Sequence, residues 1–143
     1  MRPLGITLIG IYQILRGAIG VLFGLSLLLF TSLAAKLASL AAEGNAVGGF
    51  LHGLGRLAGL GIVVFAVLHI VAGFGLLKME NWSRLLTLLL SAIGLMVLLP
   101  VMMIAHGLPL VFGAINAVSI FYLVLPPIKR IFRGSRPAMQ AAA

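Results

Sequence analysis

Four long apolar runs, separated by short clusters of charge, glycine and proline, set the pattern of this chain. They cover about residues 4–30, 57–77, 85–105 and 108–125. A helix that crosses a bilayer needs roughly 20 apolar residues, because each adds about 1.5 Å of rise. Lipid offers backbone N–H and C=O groups no hydrogen-bond partner, so uninterrupted apolar runs of this length become α-helices there. The pattern predicts an all-α polytopic membrane protein, a four-helix bundle forming a single membrane domain.

Proline and glycine sharpen the boundaries. Pro109 falls in the first turn of the fourth run, where its missing N–H costs nothing. Pro126-Pro127 is expected to end that span, and Pro100, inside the third, to kink its helix and free the Met96 carbonyl. Residues 31–56 read as one long extracytoplasmic connection. Within it Leu33, Leu37 and Leu40 have helical spacing, predicting either a short surface helix or a continuation of the first span. Glu43-Gly44-Asn45 and Gly48-Gly49 are expected to break it. Met1-Arg2-Pro3 followed by apolar sequence has the outline of a cleavable signal peptide, with Ser32-Leu33-Ala34 downstream. Signal cores run to only about 7–15 residues, however, and the run from Leu4 is longer and holds Arg16. A retained first span is the expectation.

Composition excludes a soluble domain: 62% of the 143 residues are hydrophobic and 8% charged, against about 25% charged in soluble proteins. The absence of cysteine removes disulfides and thiolate metal sites. Ten Lys and Arg face only two acids, Glu43 and Glu80, for a net charge of +8. Beside apolar spans such a balance signals topology and attraction to anionic lipid rather than nucleic-acid binding. Arg2, Lys78, Arg84, Lys129, Arg130, Arg133 and Arg136 fall on one side of the predicted bundle, with Lys36 and Arg56 on the other. The positive-inside rule then puts both termini in the cytoplasm, with the protein in the cytoplasmic (inner) membrane. Trp82 and Tyr122 lie near the same edge, as belt residues do. Lys129, Arg130, Arg133 and Arg136, in a basic tail over 128–143, are the expected contacts to anionic lipid.

Small residues supply the packing faces. Gly20 and Gly24 in the first span, and Gly55 and Gly59 entering the second, are spaced four apart. Such pairs let helix backbones approach closely where lipid removes the hydrophobic drive. Intrachain packing uses most of them, and a leftover face would serve self-association or another membrane subunit.

Polar residues inside spans are expensive and are candidate sites by default. Counted from the predicted cytoplasmic ends, Gln13, His69 and Ser119 lie roughly 12–14 Å deep and Arg16 and Asn116 about one turn deeper. Ser91 lies somewhat shallower. These residues predict a polar layer across the bundle: interhelical hydrogen bonding in one reading, a ligand or partner site centred on Arg16 in the other. Neither glutamate falls at that depth. Haem or chlorophyll ligation through His69, His52 or His106 is disfavoured, because only the outer pair shares a depth, and no cofactor is expected. A metal site would lack carboxylate and thiolate support, so none is expected. Without aspartate there is no Ser-His-Asp triad, and no phosphate-cradling glycine loop precedes Lys-Ser/Thr. The chain reads as a non-enzyme, and Glu80 and Arg84 read as a local i, i+4 pair.

Three stretches carry a resemblance: Arg2-Pro3-Leu4-Gly5-Ile6-Thr7, the segment from Gly75 to Thr87 with Trp82-Ser83-Arg84, and Asn116 to Phe132 with Pro126-Pro127-Ile128-Lys129. Together they resemble a group of uncharacterised small four-helix prokaryotic membrane proteins. The chain departs from that pattern where Leu125-Pro126 replaces Leu-Arg-Pro. The resemblance implies the four-helix architecture and no activity. Two functions remain. The first is a structural or accessory subunit, packing against a larger membrane complex or self-associating. The second is a small dimeric transporter or channel with an Arg16-centred polar layer.

Overall fold

The computed structural model describes residues 3–41, 46–104 and 107–134, and over them the chain is entirely helical. The helices are α1 (Leu4–Ala41), α2 (Ala46–Leu77), α3 (Asn81–Ile104), α4 (Leu108–Val124) and α5 (Pro126–Gly134). Three contain stretches long and apolar enough to cross a membrane: Leu4–Leu37, His52–Leu77 and Asn81–Pro100. A fourth arises if Pro109–Val124 and Pro126–Phe132, bent by 70°, count as one crossing. Burial runs opposite to that of a water-soluble protein. On α1, Leu4, Leu8, Ile11, Leu15 and Leu22 form an exposed apolar stripe, while Ile6, Gly10, Gln13 and Gly17 are buried. Small and polar residues inside, with large apolar ones outside, is the arrangement a lipid solvent selects.

The expected connection over 31–56 is corrected. α1 continues to Ala41 and α2 already begins at Ala46, so the described parts of that stretch are helical. Ala34, Ala35, Lys36 and Leu37 are all strong helix formers, which favours continuation of the first span. Gly48 and Gly49 do not break α2, because they fall in its first turn. Backbone N–H groups there lack intrahelical acceptors anyway, so glycine costs little. The breakers Glu43, Gly44 and Asn45 lie outside the described residues.

The chain forms two compact units. The first, Leu15–Ile70, joins the later part of α1 to the earlier part of α2. It is a hairpin zipped by small residues in a regular antiparallel register. Gly17 faces Ile70 and Ala66, Gly20 faces Ala66, Gly24 faces Val63 and Gly59, and Gly55 faces Thr31. A Cβ added at Gly17 would come within 2.6 Å of the Ala66 carbonyl oxygen, and one at Gly20 within 2.8 Å of the Ala66 Cβ. His52 adds a polar tie, its Nδ1–H donating to the Thr31 carbonyl at 3.0 Å.

The second unit holds the start of α1, the end of α2 from Val71, and α3 to α5. Gly10 meets Gly73 and Leu77, while α4 packs on α3. Its apolar core is Ile6, Leu76, Leu123, Ile128 and Phe132, with Ile9, Leu88 and Tyr122 packed against it. The α2–α3 turn has a Schellman cap: Met79 N–H donates to Leu76 O (3.0 Å) and Glu80 N–H to Gly75 O (3.1 Å). Met79 takes the left-handed position at φ 62° that glycine usually fills. Pro100 sits inside α3, which runs on to Ile104.

The basic tail is also corrected. Pro126-Pro127 ends α4 and at once starts α5, since proline suits the first helical positions. Ile128 and Phe132, four apart, bury one face of α5 against the core, leaving Lys129 and Arg130 exposed. Arg133 lies on α5, while Arg136 falls outside the described residues.

Candidate functional site

The apolar core of the second unit gives its helices a common level. Ile9 on α1, Leu88 on α3 and Leu123 on α4 all meet there. One turn farther from α5, each helix replaces an apolar side chain with a polar one: Gln13 on α1, Ser91 on α3 and Ser119 on α4. Asn116 continues the stripe on α4, and Thr87, four residues before Ser91, extends it on α3. All five are at most 2% exposed. The helical repeat alone puts Thr87 with Ser91 and Asn116 with Ser119 on shared faces, and α3 packs on α4.

Most of these groups remain chemically unanswered. Both amide atoms of Gln13, Thr87 Oγ1 and Ser91 Oγ are buried without a hydrogen-bond partner. Ser83, one turn earlier on α3, is answered, its hydroxyl donating to Glu80 O at 2.6 Å. A groove of about 370 Å³ between α1 and α4 has Tyr12 and Ser119 as its polar lining residues. The Tyr12 hydroxyl is likewise buried and unanswered. Amide and hydroxyl groups bear no charge, so what this layer offers is hydrogen bonding to an uncharged group or to water.

Arg16 and His69 belong to the first unit. His69 is 2% exposed, with Nδ1–H donating to the Phe65 carbonyl at 2.8 Å. Its ring stands edge-on to Phe65 at 4.6 Å between centroids, and its Nε2 is buried without a partner. Arg16 is half-buried and engaged. Of the residues expected to form one layer, Gln13, Ser91, Asn116 and Ser119 belong to one unit and Arg16 and His69 to the other. His106 lies outside the described residues. Among the described residues no three of His, Cys, Asp or Glu come together as metal ligands would.

The packing residues take different partners. Gly20 and Gly24 meet Ala66 and Val63, and Gly55 and Gly59 meet Thr31 and Leu28. On the same helix, Gly49, Gly53 and Gly61 have nothing within 4 Å of where a Cβ would stand.

Sequence reading overlooked Tyr12, Thr87 and the burial of Arg84. Thr87 carried a signal, four residues before Ser91 on one helix face. Tyr12 did not, because its ring matches its apolar neighbours. By spacing alone Arg84 reads as a flanking charge paired with Glu80. Instead the Glu80 carboxylate accepts Trp82 Nε1–H, and Arg84 is 6% exposed with a buried, partnerless Nε.

The fold and site define a helical membrane-protein class, with three or four apolar helices able to cross a bilayer. No protein-family model, curated protein or solved structure matches the chain.

Proposed function

We propose that this chain is a non-catalytic, four-span membrane protein with both termini in the cytoplasm, working by lateral association as an accessory subunit or with its own copies. The observation that carries this is the division of α2 glycines into two sets. Gly55 and Gly59 are used within the hairpin, whereas Gly49, Gly53 and Gly61 meet nothing. Glycines cost helix stability, and within lipid their return is a close helix–helix approach. A set with no approach among the described residues fits one made outside the chain. The orientation rests on the asymmetry of Lys and Arg, and the fourth span on α4 with its bent continuation α5.

Mild-detergent purification of the native protein, followed by native mass spectrometry, tests this. The expected result is a stoichiometric partner or a homo-oligomer that Gly53→Leu and Gly61→Leu dissociate while the monomer stays folded. A monomer with no partner at native expression overturns the proposal.

A small transporter or channel is the second reading. The partnerless buried atoms of Gln13, Thr87 and Ser91 favour it, because a dry packed layer would not leave them unmet. Solute flux in liposomes that Gln13→Leu abolishes, without loss of fold, would establish it over the first.

A further inference from the structure

A cleft beside the turn between α2 and α3 is used by neither functional reading. Its volume is about 430 Å³, and its lining is the turn from Lys78 to Trp82, Leu85 on α3 and Phe132 on α5. The turn is held from several sides. Met79 N–H and Glu80 N–H cap α2, and the Ser83 hydroxyl donates to Glu80 O at 2.6 Å. Gly75 lets Ser83 and Trp82 close on α2, where any larger residue would collide with them. Phe132, buried in the apolar core, fixes the α5 side. A cleft built on such fixed parts needs little ordering when it is filled.

The two charges in the lining are opposite and separate. Lys78 is exposed and Glu80 half-buried, and although only two residues apart they form no ion pair with each other. Glu80 accepts Trp82 Nε1–H instead, and the Lys78 ammonium has no partner among the described residues. A carboxylate has about four lone-pair sites, so one indole bond leaves Glu80 able to accept more. The lining thus carries no net charge, yet it offers a cation and an anion side by side. The head group that complements it is neutral overall, with an anionic and a cationic end. Leu85 adds an apolar side, and Leu89, Ile93 and Met96 continue it as one exposed stripe along α3. That stripe runs along a helix apolar enough to cross a membrane. Trp82, half-exposed where stripe and turn meet, has the character of a residue at a membrane–water boundary.

We propose that this cleft binds the head group of a zwitterionic phospholipid with a primary ammonium. Lys78 takes the phosphate, Glu80 takes the ammonium, and the hydrocarbon lies along Leu85 and Leu89. A primary ammonium can donate a charge-assisted hydrogen bond to the carboxylate, which a quaternary one cannot. The Trp82 ring adds attraction for the same cation. The proposal rests on the chain residing in a membrane, and not on how it associates there. It differs from the attraction of exposed Lys129 and Arg130 to anionic lipid, which follows net charge.

The test uses the full chain, delipidated in a neutral detergent, with thermal unfolding followed as lipids of identical acyl chains are added. Phosphatidylethanolamine is expected to raise the Tm of the wild type at lower concentration than phosphatidylcholine or phosphatidylglycerol. Glu80→Gln keeps an acceptor for Trp82 but leaves the cleft net positive. It should need about tenfold more phosphatidylethanolamine for the same gain, and should now respond better to phosphatidylglycerol. A merely structural role for Glu80 would not reverse the order of the two lipids. Soluble phosphoethanolamine at the same concentration should leave the Tm unchanged, and an equal rise with it overturns the lipid as occupant. Equal stabilisation of the wild type by all three lipids, or the same lipid order in Glu80→Gln as in wild type, overturns the proposal. If Glu80→Gln does not fold, the exposed Lys78→Gln decides: native mass spectrometry should show less retained phosphatidylethanolamine than in wild type, and unchanged retention overturns the site. Failure of the membrane reading is distinct, since the protein would then not sediment with liposomes at all.

Discussion

The two units treat their polar side chains in opposite ways. In the Leu15–Ile70 hairpin the hydroxyls of Ser26, Thr31 and Ser32 are each answered by their own helix. Ser26 donates to Leu22 O at 2.8 Å, Thr31 to Leu27 O at 2.9 Å and Ser32 to Leu28 O at 2.7 Å. In the second unit Thr87 and Ser91 also sit on an α-helix, yet leave their oxygens unmet, as do Tyr12 and Gln13. The hairpin ties these hydroxyls to its own backbone and packs through glycine. The second unit keeps hydrogen-bonding capacity in its interior. His69 is the hairpin's exception, answered at Nδ1 and unmet at Nε2.

The largest effect should come from the second unit's apolar base. Phe132 is 2% exposed and ties α5 to the core under the polar layer. Phe132→Ala should cost about 3 kcal/mol or more, read as a fall in Tm and protease cleavage near residues 126–134. The hairpin's equivalent is Gly17→Leu, which drives a side chain into the Ala66 carbonyl and Ile70. Its expected cost is about 1–3 kcal/mol, measured by unfolding in detergent. Gly61→Leu, on the same pair of helices but facing nothing, should leave that Tm unchanged. Equal damage from both glycines would erase the difference between used and unused faces.

Much of the fold is legible in the sequence, for physical reasons that also mark where legibility ends. Apolar length and proline position predict α4 and the end of α3 to within a residue, because lipid forces satisfied backbone and proline cannot continue a helix, while α3 starts at Asn81, four residues before the apolar run. Over 31–56 the helical spacing of Leu33, Leu37 and Leu40 predicts the continuation of the first span that α1 shows, whereas Gly48 and Gly49, which read as breakers, fall in the first turn of α2. The charge of α5 suggests a solvated tail, whereas Ile128 and Phe132, spaced four apart, carry the helical signal. For the candidate layer, depth counting singled out Gln13, Ser91, Asn116 and Ser119. It did not assign them to units or show which atoms go unmet, since a residue's name carries no record of whether its neighbour answers it. Arg84 illustrates this best: an i, i+4 acid stood available, and the indole of Trp82 took it.

A smaller effect, of opposite sign, tests the unmet interior. Leaving a buried polar group unsatisfied costs about 1–3 kcal/mol, and Gln13 carries two such atoms. Gln13→Leu, close in volume, should therefore raise thermal stability by about 1–2 kcal/mol in delipidated protein. A loss of stability instead would mean that water or a bound solute answers the amide. The contrast between units would then become one between an internal and an external partner.

The smallest effect belongs to a hydroxyl already answered. Ser26 faces outward on α1, and its bond to Leu22 O replaces nothing that lipid could supply. Ser26→Ala removes donor and exposure together and leaves Leu22 O in its backbone bond, so stability should change by less than about 0.5 kcal/mol. Ser91→Ala, the same chemistry in the second unit, should exceed it in the stabilising direction, because there the hydroxyl is buried and unmet. Unfolding both variants in one detergent reads the difference directly. If the two serines respond alike, the interior hydroxyl is answered by something beyond the chain, and the polar layer is occupied.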